Sequence, residues 1–413
     1  MSSENPLSTS RPASAADVVV TGVGIISSLG NGWRANADGF REGRVALREV
    51  SLFDTSPQRV HVAGEVDMPA ELPENVLSKK DRSRIERGSE LLMHAAAEAL
   101  KSSAIGFGAT LPIVLGTSAG AMAHGEAFFR KAKEAHSKRN QSTLAYQYLV
   151  SSQVALVARA FALTSRTTIV SNACASGANA IGHAAQLISS GRAERVLAGG
   201  YDALSHLVFA GFDSLKALSP TLPRPFDAGR DGLALGEGAA LMVLETRAHA
   251  MARGARILAL VAGYGLATDL HHLTQPHPEG HAACRSMKMA CRAANVTPGE
   301  VDYLNSHGTG TPLNDPAEAA AIAAWAGAEV AKIRVSSTKG NIGHLLGGAG
   351  AVEAVVCLMA MRESFLPPTA HHGTTDSSCH FDLITSPRAA AVRTALTNSF
   401  GFGGSNATLI FQS

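Results

Sequence analysis

Aromatic residues are scarce, at 5% of 413 residues, and charge of either sign is almost cancelled, with 36 Lys+Arg against 34 Asp+Glu. A formal charge of +2 excludes the broad basic footprint of a general nucleic-acid binder and leaves room only for local patches. The five cysteines (Cys174, Cys284, Cys291, Cys357 and Cys379) are an odd number without a disulfide-like framework, which points to a reduced, cytoplasmic setting. No uninterrupted apolar run reaches membrane-spanning length, and the longest, Gly347 to Met361, is broken by Glu353. Residues 1–17 are rich in Ser, Pro and Ala and lack the apolar stretch of a secretion signal, so a flexible tail is expected there. Glycine, by contrast, is plentiful at 40 residues, which suits tight backbone packing and close approach of chain to ligand.

Strand-like and helix-like segments alternate from Asp17 onward, the pattern of an α/β sheet covered by helices. Short β-branched runs read as strands at 18–21, 111–115, 167–170, 195–198, 239–245, 257–261, 301–304, 333–336, 395–397 and 408–411. The chain also repeats its own pattern. Ile169-Val170-Ser171 leads through small residues into a helix, and so does Arg334-Val335-Ser336; Gly116-Thr117-Ser118 after one strand echoes Gly308-Thr309-Gly310 after another. A tandem duplication is expected, with an N-terminal half over 18–263, a C-terminal half over 264–413, and the join near Gly263 to Thr268.

Chemistry is expected at three strand-to-helix corners. Cys174 lies between a strand and the first turn of a helix, where free amides and the helix dipole favour thiolate over thiol. His307 and His344 occupy similar corners, so both imidazoles should project where α/β folds gather their reactive groups. A buried ammonium near two imidazoles requires a counter-charge, which makes Lys339 and Glu353 expected neighbours.

Other patterns compete with these. Gly116-Thr-Ser-Ala-Gly120 fits the nucleophile elbow of serine hydrolases, which keeps Ser118 as an alternative nucleophile. Gly22-Val-Gly24-Ile-Ile-Ser27 is a partial dinucleotide fingerprint, better read as a plain turn. Ser336-Ser-Thr-Lys339 matches S-x-x-K without its companion motifs. The run His271-His272, His277, His281 and Cys284 has the outline of a metal cluster, but its spacing fits no compact zinc motif. A solvent-facing or substrate-entry loop is the favoured reading, and no metal is expected. Basic residues gather at Lys79, Lys80, Arg82 and Arg84, and again at Arg130, Lys131, Lys133, Lys138 and Arg139. Each group alone reads as a solvated helix face.

Taken together, Ala173-Cys-Ala-Ser-Gly177, Arg224-Pro-Phe-Asp227, Gly236-Glu-Gly238, His307-Gly-Thr-Gly-Thr311 with Asp315 and Glu318, Lys339-Gly-Asn-Ile-Gly-His344 and Asn398-Ser-Phe-Gly-Phe-Gly-Gly-Ser-Asn406 are similar to one family. From Val18 to Phe411 the chain resembles the elongating β-ketoacyl-acyl-carrier-protein synthases, the decarboxylating condensing enzymes of the thiolase superfamily.

The resemblance implies a thiolase-like five-layered αβαβα fold built from two similar halves, usually as a homodimer. It implies an acyltransferase that condenses an acyl chain held on Cys174 with malonyl-acyl carrier protein, in fatty-acid or type II polyketide-like biosynthesis, with no cofactor beyond carrier-bound phosphopantetheine. By the same carry-over, His307 and His344 hydrogen-bond the malonyl thioester, Lys339 pairs with Glu353, and Phe402 gates the pocket and helps hold the oxyanion. Thr309 and Thr311 contact the phosphopantetheine arm, while His272, Thr274 and Phe400 line the substrate entrance. Lys79, Lys80, Arg82, Arg130 and Lys131 are expected to dock an acidic acyl carrier protein. A histidine at 344 argues against initiating synthases, which carry Asn there, and Cys174 argues against a non-catalytic chain-length factor. Asn172-Ala173, Gly340-Asn341 and the extra His271, His277 and His281 depart from the fatty-acid pattern. They keep open a specialised aryl-polyene or polyketide ketosynthase, working with a second ketosynthase-like chain.

Overall fold

The computed structural model describes residues 14, 16–134, 136 and 141–413. Eleven strands form the hydrogen-bonded path of its large sheet: β1 (Val18–Ser27), β2 (Ile113–Gly116), β3 (Thr167–Val170), β4 (Arg195–Asp202), β5 (Gly238–Thr246), β6 (Ala259–Thr268), β7 (Tyr303–Asn305), β8 (Arg334–Ser336), β9 (Asp382–Leu383), β10 (Thr394–Gly401) and β11 (Ser405–Gln412). Their spatial order is β9-β8-β7-β10-β11-β6-β1-β5-β4-β2-β3.

That order is a repeat. Reading outward from the centre, β1-β5-β4-β2-β3 matches β6-β11-β10-β7-β8, and each pairing keeps its sense. β5 with β4 and β11 with β10 are antiparallel, whereas β4-β2-β3 and β10-β7-β8 are parallel. The two echoes seen in the sequence fall on equivalent strands, β2 with β7 and β3 with β8. Within the large sheet the halves meet where β1 pairs with β6, at Val19↔Leu260 and Val20↔Ala259.

Position 263, the join expected from the sequence, lies inside β6, the first strand of the second unit. Gly263 and Gly265 resemble a linker in sequence, but their role is packing. A Cβ on Gly265 would sit 2.0 Å from Ser286 O, and one on Gly263 would sit 2.3 Å from Ala290 O, both on helix α3 (His281–Ala294). In the first half, Gly22 and Gly24 stand in the same relation to helix α1 (Arg87–Ser102), with a Cβ on Gly24 only 1.9 Å from Ala95 O. Each glycine pair follows a β-bulge, between Val20 and Gly22 and between Val261 and Gly263. Gly22-Val-Gly24 therefore lies within a strand, serving helix approach, and is neither a turn nor a dinucleotide loop.

Two helices follow the equivalent strands β3 and β8: α2 (Ser176–Ser189) and α5 (Ala349–Glu363), with α4 (Asn314–Ala326) outside the second half. Both α2 and α5 touch strands of the two halves and each other, forming the middle layer, while α1 and α3 cover the outer faces. Consistent with that position, α5 is buried without interruption from Ala349 to Met361, an apolar helix with no solvent stripe. The layers approach closely because side chains are missing at the crossings: a Cβ on Gly116 would sit 2.2 Å from Ser176 C, and one on Gly177 would sit 2.8 Å from Gly347 O. Many of the glycines thus bring backbone against backbone in the core, in addition to any near the reactive corners. This is the five-layered α/β architecture of the thiolase-like fold.

Most of the tail expected over residues 1–17 lies outside the described residues. Asp17 is buried, with its carboxylate 3.3 Å from Arg247 Nε, so the packed body already includes it.

Candidate active site

The turn after β3 is built to present one atom. Ala173 takes φ 56°, a left-handed conformation rarely adopted without glycine, and swings Cys174 toward the interior just before α2. Ser176 braces the turn, its hydroxyl donating to Ala173 O at 2.5 Å and accepting from Asn172 N at 2.9 Å. Asn172 ties the same turn to the second half by donating to Ser405 Oγ at 3.0 Å. Cys174 is 7% exposed, and burial pushes its thiol up to about 12, with the Lys339 charge pulling the other way and Asp202 and Glu353 adding to the rise. The backbone N–H of Phe402 also acts in the lowering direction, as the smallest of these influences. The helix terminus alone led to an expectation of thiolate; in the folded protein desolvation wins and the resting group is a neutral thiol.

The two histidines reach the same cavity from the second half. Their rings lie 5.3 Å apart, nearly perpendicular, and His307 also packs 5.6 Å from Phe400. Burial holds both imidazoles well below their ordinary range, reinforced by the nearby Lys339 charge. Each Nδ1 is buried without a hydrogen-bond partner among the described residues. Both rings are therefore neutral near pH 7 and can offer an N–H without carrying charge.

Carboxylates from α4 hold the loop that carries His307. Glu318 accepts from the N–H groups of His307 (2.8 Å) and Gly308 (2.7 Å), and Asp315 accepts from those of Thr309 (3.0 Å), Gly310 (3.1 Å) and Phe226 (2.8 Å). Asn398 donates to Glu318 at 3.2 Å, linking this loop to β10. Beneath the histidines, Lys339 Nζ and Glu353 form a buried ion pair, 2% and 3% exposed. Burial pushes the Glu353 carboxyl up to about 7 against the pull of Lys339.

Cys174, His307, His344, Phe400, Phe402, Thr309, Thr311, His272 and Thr274 all line one cavity of about 410 Å³, whereas Lys339 and Glu353 sit behind its wall. Phe402 is 40% exposed at its mouth and stacks on Phe212 at 6.0 Å. The adjacent Gly403 and Gly404, with φ 80° and 82°, let the loop turn there. Sequence reasoning missed Phe212, Leu273 and Lys216 in this lining. Phe212 and Lys216 lie on a segment without a motif, Leu273 lies unmarked between His272 and Thr274, and only folding brings them to the mouth.

The competing corner has a different purpose. Asp202, at the end of β4, accepts from the N–H groups of Ser118 (2.9 Å), Ala119 (2.9 Å), Gly120 (3.1 Å) and Gly347 (2.6 Å), and from the Thr117 hydroxyl at 2.5 Å. The Gly-Thr-Ser-Ala-Gly turn therefore wraps a buried carboxylate, and Ser118 is exposed with no imidazole bonded to its hydroxyl among the described residues. Asn341, one of the departures from the fatty-acid pattern, is buried and donates to Arg44 O at 3.0 Å, outside the cavity lining. Lys79, Lys80 and Arg82 lie exposed on one short helix, Lys79–Arg82, and Arg130 and Lys131 on another, Met122–Glu134. Neither group lines the cavity; Lys138 and Arg139 lie outside the described residues.

Cys174 thus faces His307 and His344 across one cavity with Phe402 at its mouth. Residues 15–250 match the family described as beta-ketoacyl synthase, N-terminal domain, and residues 258–373 match beta-ketoacyl synthase, C-terminal domain. The chain belongs to the β-ketoacyl synthase family. This ketosynthase is 34% identical over 408 residues to 3-oxoacyl-[acyl-carrier-protein] synthase 2 of Staphylococcus aureus (strain COL), covering 96% of the chain and 98% of the relative. Among solved structures, it is similar to the ishigamide ketosynthase/chain length factor, with TM-score 0.89, 33% identity and coverage of 96% and 99%. It also resembles a type II PKS acyl-carrier protein in complex with its ketosynthase bound to the hexaketide, with TM-score 0.85, 26% identity and coverage of 96% and 99%. The protein is accordingly an enzyme of the acyltransferase class. No helix among the described residues is long and apolar enough to cross a membrane.

Proposed function

We propose that the protein elongates acyl chains by decarboxylative Claisen condensation with malonyl-acyl carrier protein, using Cys174 as nucleophile. The observation that carries this reading is the meeting of Cys174, His307 and His344 on one cavity, with both imidazoles neutral.

Acylation comes first. The Cys174 sulfur attacks the carrier thioester carbonyl, the carbonyl carbon–sulfur bond to pantetheine breaks, and the thiol proton leaves on the departing carrier thiol. The N–H groups of Cys174 and Phe402 are the donors proposed for the oxyanion, and both residues line the cavity. Malonyl carrier then enters. Cleavage of its carbon–carboxylate bond releases carbon dioxide and leaves the electron pair as an enolate on the thioester. His307 and His344 stabilise that charge by N–H donation in a dry site, where a carboxylate would repel it. The enolate carbon attacks the acyl-Cys174 carbonyl, and collapse expels the Cys174 thiolate, which takes a proton from solvent to restore the resting thiol, giving a β-ketoacyl thioester two carbons longer. Lys339 and Glu353 hold the field beneath the histidines. Thr309 and Thr311, hydrogen-bonded to each other at 2.8 Å, flank the pantetheine arm, and His272, Thr274 and Phe400 border its path.

The carrier is an acidic partner for Lys79, Lys80, Arg82, Arg130 and Lys131, and no cofactor beyond its phosphopantetheine is required. A cytoplasmic homodimer is the assembly proposed. The similarity to a ketosynthase/chain length factor pair favours a second arrangement, a specialised pathway in which this chain works with a ketosynthase-like partner. Purified chain supplied with acyl- and malonyl-carrier protein should release carbon dioxide and gain acyl mass on Cys174. Absence of release from the lone chain, restored by a ketosynthase-like partner, would favour the second arrangement. Label transferred to Ser118 would contradict both. A mass-spectrometric screen of acyl carriers then identifies the chain type.

A further inference from the structure

The histidine-rich segment read from sequence as a plain entrance loop folds into a compact donor group. His277, Glu279 and His281 each offer one ligand atom, and these atoms lie within 4.8 Å of one another. Glu279 Oε2 is 2.7 Å from His281 Nε2. The His277 and His281 rings lie 4.4 Å apart, and His271 packs against His277 at 5.1 Å, bringing a third imidazole to the same place. Cys284, the remaining member of the sequence pattern, is buried inside α3 and does not belong to the group.

Two features hold the donors in position. Asp269 accepts from the His271 N–H at 3.0 Å and the His277 N–H at 2.7 Å, fixing both ends of the loop on one carboxylate. His277 Nδ1 accepts from the Glu279 N–H at 3.2 Å, which places the ring proton on Nε2, so ligation through Nε2 moves that proton to Nδ1 and opens this bond. Gly280, with φ 59°, then turns the chain so that His281 begins α3 beside the other two. Two imidazoles and one carboxylate, with a third imidazole alongside, are the donor set of a borderline divalent metal, and zinc is the ion it suits best. Tetrahedral ligation with bonds of about 2.0–2.1 Å requires modest closure of these exposed side chains.

We infer that His277, Glu279 and His281 form a zinc-class divalent metal site at the mouth of the active cavity, and that an occupied site braces the loop between Asp269 and His281. The other side of this loop carries Leu273 and Thr274 into the cavity lining, and Leu273 O accepts from the Gly403 N–H at 2.6 Å, beside the Phe402 gate. The inference concerns binding and loop order, and it does not depend on the condensation chemistry.

The test uses the tag-free full chain carrying Cys174→Ala, which removes the competing active-site thiol. Calorimetric titration with zinc chloride should show one equivalent bound with a dissociation constant on the order of micromolar, and cobalt chloride should give visible ligand-field absorption. Because loss of supporting groups alone costs about 10–100-fold in metal affinity, His277→Ala and His281→Ala should each weaken zinc by at least about tenfold. Hydrogen exchange over residues 269–281 should slow when zinc is added. Absence of binding at millimolar zinc, or unchanged affinity in both variants, overturns the site. Binding without slower exchange overturns the bracing.

Discussion

The two halves of the molecule share a frame and divide the chemistry. Equivalent strands β3 and β8 each feed a small-residue turn and then a central helix, yet the first turn presents Cys174 and the second presents Lys339 and His344. Equivalent strands β2 and β7 diverge as well: the turn after β2 closes around Asp202, while the loop after β7 carries His307 on Glu318 and Asp315. One half places a buried cysteine at a strained corner, and the other places two neutral imidazoles above a buried ion pair. Duplication supplies two sets of corners facing a shared middle layer, so each set can specialise while the frame stays constant.

The largest expected break in this comparison is Cys174→Ala, which removes the contribution of the first half. Acyl-enzyme formation should disappear completely in intact-protein mass spectra, leaving the fold unaltered by circular dichroism. Next comes Glu353→Ala. It strands the Lys339 charge in the core, and loss of one member of a buried pair costs about 3–5 kcal/mol. Denaturant unfolding should show it, and a change below about 1 kcal/mol would contradict a desolvated pair. His344→Ala tests the division of labour directly. Removing one donor from a developing anion costs about 10²–10³ in rate, so condensation should fall by that factor while Cys174 acylation is spared. Equal loss of both half-reactions would refute the assignment.

Gly24→Ala and Gly265→Ala sharpen the structural side of the comparison. Each drives a methyl to within 1.9 Å and 2.0 Å of a helix carbonyl, at equivalent positions. Overpacking of this kind costs about 1–3 kcal/mol, and the two variants should lose similar stability in thermal melts. The smallest effect concerns the thiol. With its pKa pushed up to about 12 by burial, the Cys174 thiolate fraction should rise about tenfold per pH unit through the neutral and mildly alkaline range. Alkylation by iodoacetamide, followed in single-cysteine-resolved mass spectra, should track it. A plateau beginning near pH 7 would indicate that the helix terminus outweighs desolvation.

Local pattern made much of this visible in advance. Ten β-branched runs lie on strands of the sheet, and Cys174, His307 and His344 stand at strand-to-helix corners because small residues after a strand permit a sharp exit there. Glycine misled wherever its reason was tertiary. Gly263 and Gly265 look like a join and Gly22-Val-Gly24 like a plain turn, yet all four lie in strands pressed by helices distant in sequence. Phe212 and Lys216 carried no signal, since nothing near them in sequence marks a cavity wall. The histidines from 271 to 281 were visible as types but not as a cluster, because their meeting depends on Asp269 and on the left-handed Gly280.

The sequence by itself determined the near-neutral charge, the alternation of strand and helix, the internal echo and the residue types at each reactive corner. These are local properties, set by side-chain periodicity and backbone preference. Tertiary packing alone sets Cys174 as a resting thiol, keeps both imidazoles neutral, folds the Ser118 turn around a carboxylate and starts the second repeat at Ala259, the beginning of β6. Each of those outcomes depends on burial or on a partner far along the chain, and desolvation exists only once the two halves have closed on each other.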